Sequence, residues 1–168
     1  MISPEVIRRY PFFGGLSYEH IVVLASAANE ISVESGHYFF HDGDNLHQFY
    51  LILHGEVAVA MEVPDQAVEQ KISGQLTGQF QMRDVVLSSL GRGDAFAWSA
   101  LVPPYQATAS VKATTPCQVA VFDALALRRA FEEDCRFGYM MMQKAAQISS
   151  NRLRDMRIET LAYLAGHE

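Results

Sequence analysis

The feature that most constrains this chain is a change of hydrophobic period at Asp123. Between Glu30 and Asp123 the apolar residues form short runs rich in β-branched and aromatic side chains, and Gly and Asp separate these runs. Such runs are typical of antiparallel strands in a sandwich or roll. Beyond Asp123 there is no Pro, and Gly138 is the only Gly before Gly166. That part of the chain is therefore predicted to be helical to its end.

Seven runs in the first part are predicted to be strands. They are Ile31–Val33, Tyr38–Phe40, Phe49–Leu53, Val57–Val63, Val85–Leu90, Ser110–Ala113 and Gln118–Phe122. Glycines stand between several of the runs, where tight turns need positive φ. The segment 64–83 contains five Gln residues. It is predicted to be a polar hairpin tip, with a partner contact as the alternative.

Helices are expected on both sides of the strands. Ser3 and Ser17 stand in N-cap positions, and Ser17 precedes a predicted helix over Tyr18–Ala28. Asp123 is the predicted cap of a helix that ends at about Glu133, and a longer helix is predicted from about Arg136 to Ala165. The sequence therefore indicates a mainly β fold with flanking α-helices.

Apolar and small residues recur along the last helix at alternating spacings of 4 and 3. This heptad pattern predicts a parallel homodimer, because small side chains at Ala146 and Ser149 permit close approach. The predicted dimer contacts are Met142, Ala146, Ser149, Leu153 and Met156, and Thr160 and Tyr163 continue the spacing. The alternative is a single amphipathic helix that packs only on its own domain.

Two further sets of residues on this helix lie outside the seam. The stripe of Phe137, Met141, Ala145 and Ile148 is expected to pack against the strands. Three arginines, Arg152, Arg154 and Arg157, are expected to remain solvated. One helix would then serve two interfaces.

Charge, hydropathy and cysteine content exclude several classes of protein. The net charge is −6, which argues against a surface that neutralises phosphates, so no nucleic-acid partner is expected. The amino terminus lacks the pattern of a signal peptide, and no run approaches the roughly 18 apolar residues of a membrane helix. Cys117 and Cys135 are too few for a disulfide framework or a four-cysteine zinc site. We expect a cytoplasmic protein without a membrane partner.

Catalytic and metal-binding patterns are weak. The six His residues do not have the spacing of a metal or haem site, so none is predicted. Ser99 lacks the context of a nucleophile elbow, and the acidic neighbours of Cys135 disfavour a thiolate. The sequence therefore does not predict an enzyme.

Three stretches resemble the cyclic nucleotide-binding domain. They are Gly36–Asp44, Phe49–Val57 and Leu90–Phe96. The resemblance covers nearly the whole chain and implies a double-stranded β-helix, or jelly-roll β-roll, of about eight strands that two helices close. On this basis residues 1–134 form the β-roll with its amino-terminal helices. Residues 135–168 form a carboxyl-terminal dimerisation helix of the same domain.

The charged anchors of the family are missing from this sequence. In nucleotide-binding members a Glu holds the ribose 2′-hydroxyl and an Arg holds the cyclic phosphate. Alignment through Gly93–Phe96 puts Trp98 at the Glu position, and alignment back from Ala109–Ala113 puts Ala107 at the Arg position. Lys112 is the nearest basic residue, and whether it faces the pocket depends on the alternation of sides along its strand.

The stretch Phe96–Gln106 resembles a branch of standalone bacterial proteins that carry Gly-Trp-Ser and Pro-Pro-Tyr-Arg here. Ala97 replaces that Gly, and Gln106 replaces that Arg. Trp98 is expected to fill the pocket as core, with an aromatic wall for a flat ligand as the alternative. The candidate ligand contacts are Phe96, Ala97, Trp98, Ser99, Ala100, Gln106, Ala107, Thr108 and, on the last helix, Ser149.

The resemblance implies a regulatory domain that senses a small molecule and lacks a DNA-binding module. No cofactor is identified, and the candidate ligand is a cyclic nucleotide or a related small molecule. The expected partners are a second copy of the chain and an unidentified protein. The alternatives are a ligand-free structural or protein-interaction module and a truncated effector domain of a transcription regulator.

Overall fold

The computed structural model describes residues 2–64 and 82–165 of the 168 residues. Most of the Gln-rich segment, predicted to be a hairpin tip, lies outside the described residues. Two short α-helices and a 3-10 helix open the chain: α1 is Pro4–Arg8, the 3-10 helix is Pro11–Phe13, and α2 is Tyr18–Ser26. These elements confirm the predicted helical start.

Helix α2 begins with a reciprocal cap between Ser17 and His20. The Ser17 hydroxyl accepts a hydrogen bond from the His20 backbone N–H at 3.2 Å, and His20 Nδ1 accepts one from the Ser17 backbone N–H at 3.4 Å. Because Nδ1 is an acceptor, the proton of a neutral His20 ring lies on Nε2. His20 Nε2 then donates to the carboxylate of Asp134 at 2.9 Å.

Eight antiparallel strands form two four-stranded sheets. The strands are β1 Ala28–Val33, β2 Tyr38–Phe40, β3 Gln48–His54, β4 Val57–Pro64, β5 Met82–Leu90, β6 Ala95–Phe96, β7 Ser110–Ala113 and β8 Cys117–Asp123. One sheet has the order β1-β8-β3-β6 and the other β2-β7-β4-β5. All seven predicted strands are confirmed. Sequence analysis missed β6, because two residues are too few to show a period.

Two helices follow the last strand, as expected. Helix α3 is Ala124–Glu133, and helix α4 is Cys135–Ala165. The Asp123 carboxylate caps α3 by accepting from the backbone N–H groups of Leu125 and Ala126 at 2.8 and 3.0 Å. The fold class predicted from the sequence, a jelly-roll with flanking helices, is confirmed.

Asp134 connects α2 with the start of α4. One of its carboxylate oxygens accepts from the backbone N–H groups of Arg136 and Phe137, both at 3.0 Å. The bond from Phe137 and the contact with His20 hold the pKa of the Asp134 carboxyl below its usual value. The rings of His20 and Phe137 stack with centroids 4.6 Å apart. These contacts fix the direction in which α4 leaves the roll.

The predicted inner stripe of α4 packs on the β-roll. Phe137, Met141 and Ala145 are buried, and Ile148 is half-buried against the same core. Their spacing of three and four residues puts them on one face of the helix. Packing of this stripe carries the later turns of α4 past the turn between β5 and β6, where Arg152 and Asp155 line a cavity together with residues 92–95.

Gly55, between β3 and β4, occupies a turn that no other residue fits. Its φ is +91°, and an added Cβ would lie 2.5 Å from the Pro116 carbonyl oxygen and 2.7 Å from Cys117 Sγ. Gly36 has a similar φ of +90°, yet nothing lies within 4 Å of an added Cβ there. Comparison of the two positions therefore separates the energetic cost of a left-handed backbone from the cost of steric overlap.

We predict that Gly55→Ala destabilises the protein by about 3 kcal/mol, because strain and overpacking add. Gly36→Ala is the matched control and should cost about 1 kcal/mol, since only the strain acts there. Urea unfolding followed by circular dichroism measures both values. Equal losses in the two variants would contradict the close approach at Gly55.

Candidate ligand-binding site

The segment between β6 and β7 forms a loop pinned to the turn before β3. The Leu46 backbone N–H donates to the Tyr105 carbonyl at 2.7 Å, and the Ala107 backbone N–H donates to the Asp44 carbonyl at 2.8 Å. On its outer side the guanidinium of Arg128, from α3, lies 4.0 Å from the centre of the Tyr105 ring. The loop is therefore held at both faces, and we call it the cassette loop, residues 97–109.

A cavity of about 40 Å³ lies beneath the cassette loop. Most of its wall comes from apolar or small residues of the roll and the loop. The lining residues are Phe40, Leu46, Val59, Phe96, Ala97, Trp98, Ser99, Ala107, Thr108, Ala109, Val111 and Arg152. Ligand pockets commonly measure roughly 300–1,000 Å³. This inner cavity has room for a few water molecules and not for a nucleotide.

Aromatic packing accounts for the small size of the inner cavity. Trp98 is half-buried against the core and also lines the cavity, so the packing role and the aromatic wall both stay predictions. The rings of Phe96 and Tyr50 stack with centroids 4.7 Å apart, and the Phe39 ring meets Phe96 edge-on at 5.0 Å. Aromatic rings thus occupy the space around the strand that leads into the cassette loop.

Six of the predicted ligand contacts line the inner cavity, namely Phe96, Ala97, Trp98, Ser99, Ala107 and Thr108. The other three are not among its lining residues. Ala100 is fully buried within the loop's 3-10 helix, Trp98–Leu101. Gln106 is exposed and pairs with Asn45 in an isolated β-bridge. The Ser149 hydroxyl donates to the Ala145 carbonyl of its own helix at 2.9 Å.

Lys112 lies on the far side of its sheet from the inner cavity. Its neighbour Val111 lines the cavity, and successive side chains of a strand point to opposite faces. The Lys112 ammonium lies 3.4 Å from the Asp84 carboxylate and 4.8 Å from the centre of the Tyr38 ring. The Tyr38 hydroxyl donates to the same carboxylate at 2.5 Å, which raises the pKa of Tyr38. Lys112 is thus engaged elsewhere and does not replace the missing anchor.

The charged group at the inner cavity comes from helix α4 instead. Arg152 was expected to remain solvated, and that expectation is wrong: the side chain folds onto the roll and is half-buried. Its guanidinium donates to the Ala95 carbonyl at 3.4 Å. Burial lowers the pKa of Arg152, and the charge of Asp94 opposes this effect. The helical pattern gave no signal for this contact, which depends on how α4 packs.

The described residues form neither a metal cluster nor a membrane-spanning helix. Among residues 2–64 and 82–165, no group of three or more His, Cys, Asp or Glu side chains is placed to hold a metal ion. None of the helices in this part of the chain is long and apolar enough to cross a membrane.

Comparison with protein families matches residues 30–134 to the profile of the cyclic nucleotide-binding domain. The chain belongs to this family. The resemblance seen in the sequence is therefore confirmed. A comparison with curated proteins gives no match.

Solved structures of family members share the fold. A Geobacter metallireducens GS-15 protein assigned to cyclic nucleotide binding is 27% identical, with a TM-score of 0.73 over 91% of this chain and 99% of its own. A cyclic nucleotide-binding domain from Methylobacillus flagellatus KT is 20% identical, with a TM-score of 0.72 over 95% and 80%. The Thermus thermophilus catabolite activator protein is 21% identical, with a TM-score of 0.62 over 92% and 63%.

The cassette loop keeps a backbone conformation that suits Gly. Ala97 begins the loop with φ 61° and ψ 29°, in the left-handed region, at the position where the related branch carries Gly. This conformation costs a residue with a Cβ about 1–2 kcal/mol. Ala97 thus holds a conformation that Gly would adopt without this cost.

We predict that Ala97→Gly leaves the free energy of unfolding unchanged or raises it, because relief of strain offsets the greater chain entropy of Gly and the lost methyl group. Ala100→Gly is the control, since Ala100 is buried in the same loop without positive φ. It should lower the free energy of unfolding by about 1–2 kcal/mol. Urea titration measures both, and an equal loss in the two variants would contradict strain at Ala97.

Proposed function

We propose that the protein is a non-catalytic regulatory domain that senses a small molecule. This ligand is not cyclic AMP bound in the way that is usual for the family. The observation that carries this proposal is the inner cavity: Trp98 and Ala107 stand where the two charged anchors are expected, and only about 40 Å³ remains. Family membership and the intact cassette loop support a regulatory role. The filled cavity supports a change of ligand.

The loss of the Arg anchor is large in energetic terms. An Arg holds a phosphate through a charge-assisted, bidentate contact, which Ala107 does not provide. Removing one partner of such a buried pair costs about 2–5 kcal/mol. That corresponds to about one and a half to three and a half decades in affinity.

We predict that cyclic AMP binds with a dissociation constant no better than micromolar. The physical reasons are the missing charges at Trp98 and Ala107 and the small cavity. Isothermal titration calorimetry with the full chain measures the constant, and AMP, which lacks the cyclic phosphate, is the matched control ligand. A nanomolar constant for cyclic AMP would overturn the proposal.

A ligand-free protein-interaction module is the second candidate, and the small inner cavity favours it. A closed cassette loop can serve as a rigid surface without any ligand. Saturable binding of a small molecule separates the two candidates, because the interaction module predicts none.

We further propose that the domain acts as a homodimer through α4. Leu153 and Met156 are 51% and 47% exposed and lie on the predicted seam. Met142, also on the seam, is half-buried against its own core, so the exposed part of the seam begins beyond it. Ile158 and Leu161 are exposed too, but they lie outside the seam. Covering this half of the helix would remove substantial apolar surface from water.

We predict that Leu153→Glu converts a dimer into a monomer. The two carboxylates would lie close together across the two-fold axis, and their desolvation opposes association. Leu125→Glu is the matched control, because Leu125 is 49% exposed on α3, away from the seam. Multi-angle light scattering at tens of micromolar should show a dimer for the native chain and the control. A native monomer, or a dimer that survives Leu153→Glu, would contradict the proposed dimer contact through the seam.

A further inference from the structure

A second, larger cavity lies outside the cassette loop. It is about 490 Å³ in volume and opens between the 3-10 helix Pro11–Phe13, the turn 91–94 and helix α4. Its apolar wall is formed by Phe12, Leu90 and Ile148. Its volume falls within the range of roughly 300–1,000 Å³ that is usual for small-molecule sites. We call it the outer cavity.

Arg152 is the one lining residue that the outer and inner cavities share. Its side chain crosses from α4 to the Ala95 carbonyl and forms the wall between the two spaces. The structure thus places a guanidinium beside the cassette loop from an element that does not carry the family's Arg.

The hydrogen-bonding capacity of Arg152 is largely unused. A guanidinium has five N–H donors, and the recorded bond to Ala95 is long at 3.4 Å. Among the described residues no carboxylate lies within 4.0 Å of this guanidinium in an ion pair. The nearby Asp94 carboxylate accepts from the Gly91 backbone N–H at 2.9 Å and so holds its own turn. The charge of Asp94 acts on Arg152 without an ion pair between them. A half-buried cation is costly, and an anion in direct contact with it in the outer cavity would compensate it further.

The other charged groups of the outer cavity do not supply that anion. Asp94, Asp155 and Arg92 are all exposed on its rim, where water solvates them. Asn151, also exposed, adds a neutral amide to the rim. The half-buried wall therefore offers the Arg152 guanidinium and an apolar surface, while the carboxylates of the cavity lie on its exposed rim. This combination suits a ligand with an oxyanion on an apolar body.

We propose that the outer cavity binds a small organic anion, with Arg152 holding its carboxylate or phosphate group and Phe12, Leu90 and Ile148 covering its apolar part. This inference rests on the proposed sensing function and gives the site and the chemical class of the ligand. Because Arg152 lies on α4 and contacts β6, the same ligand would connect the cassette loop with the helix that carries the dimer seam.

The test measures binding of phenyl phosphate and benzoate to the full chain. Benzyl alcohol, which has a similar apolar body without charge, is the control ligand. Trp98, the single Trp, borders Arg152 at the inner cavity and reports binding by its fluorescence. Saturable binding of an anion is expected, and benzyl alcohol should bind at least about tenfold more weakly, as the loss of a charged hydrogen bond implies.

The variants are Arg152→Gln and the matched control Arg154→Gln. Arg154 lies on the same helix, is exposed and lines neither cavity, so both variants lose the same charge. Arg152→Gln should weaken anion binding by about tenfold or more, and Arg154→Gln by less than about twofold. Arg152→Lys keeps the charge but loses the planar, bidentate donors of the guanidinium, so its affinity for the anion should lie between those of the two Gln variants.

A measurement on the native chain keeps the test independent of the folding of any variant. In ¹⁵N–¹H correlation spectra, phenyl phosphate should shift the amide signals of residues 91–95 and 148–155. Shifts confined to other regions, no saturable binding of either anion, or equal affinity for benzyl alcohol would overturn the inference. Equal loss in Arg154→Gln would do so as well.

The same variants distinguish this inference from the sensing function. A small molecule that binds the native chain and Arg152→Gln with equal affinity would overturn the outer site and leave sensing in place. A chain that binds neither these anions nor any cyclic nucleotide would overturn the sensing function too.

Discussion

The central position of β8 is the constraint on which the rest of the architecture depends. This strand pairs with β1 on one side and β3 on the other, and Val119 and Phe122 on it are fully buried. Its last residue, Asp123, bonds through its backbone N–H to the Ala27 carbonyl, while the Ala124 N–H bonds to the His47 carbonyl. The strand therefore delivers the chain into α3 and α4 at a fixed point of the sheet.

The position of helix α4 is set by the end of β8 and by the packing of its inner stripe. Phe137 and Met141 are each only 1% exposed, so the first turns of the helix are part of the core. The later turns pass the β5–β6 turn and bring Arg152 to the Ala95 carbonyl. A charge on a helix that the sequence marks as solvated thus becomes part of a cavity wall.

The cassette loop is held by backbone contacts and not by charged side chains at the anchor positions. The backbone bonds from Leu46 and Ala107 hold the loop, and Ala97 accepts a left-handed conformation to start it. Neither feature depends on the Glu or Arg anchors. Charged anchors are therefore not needed for this fold, and the proposed ligand contact uses a charged group that the packing of α4 supplies.

The sequence by itself determined the strands, the helices and the family. Alternation, caps such as Ser17 and Asp123, and turn glycines act within a few residues, so they are legible without the fold. Alignment likewise predicted that Trp98 and Ala107 stand at the positions of the charged anchors. The two-residue strand β6 was not predicted, because it forms through its pairing with β3.

Only the tertiary structure decided which charged groups reach the cavities. Lys112 lies near the site along the chain, yet it faces Asp84 on the outer side of its sheet. Arg152 is far from the site along the chain, yet it lines the inner cavity. The size of that cavity also depends on how Trp98 and the rings around Phe96 pack. Facing, packing and cavity volume arise from contacts between residues far apart in sequence, and a local pattern carries no record of those contacts.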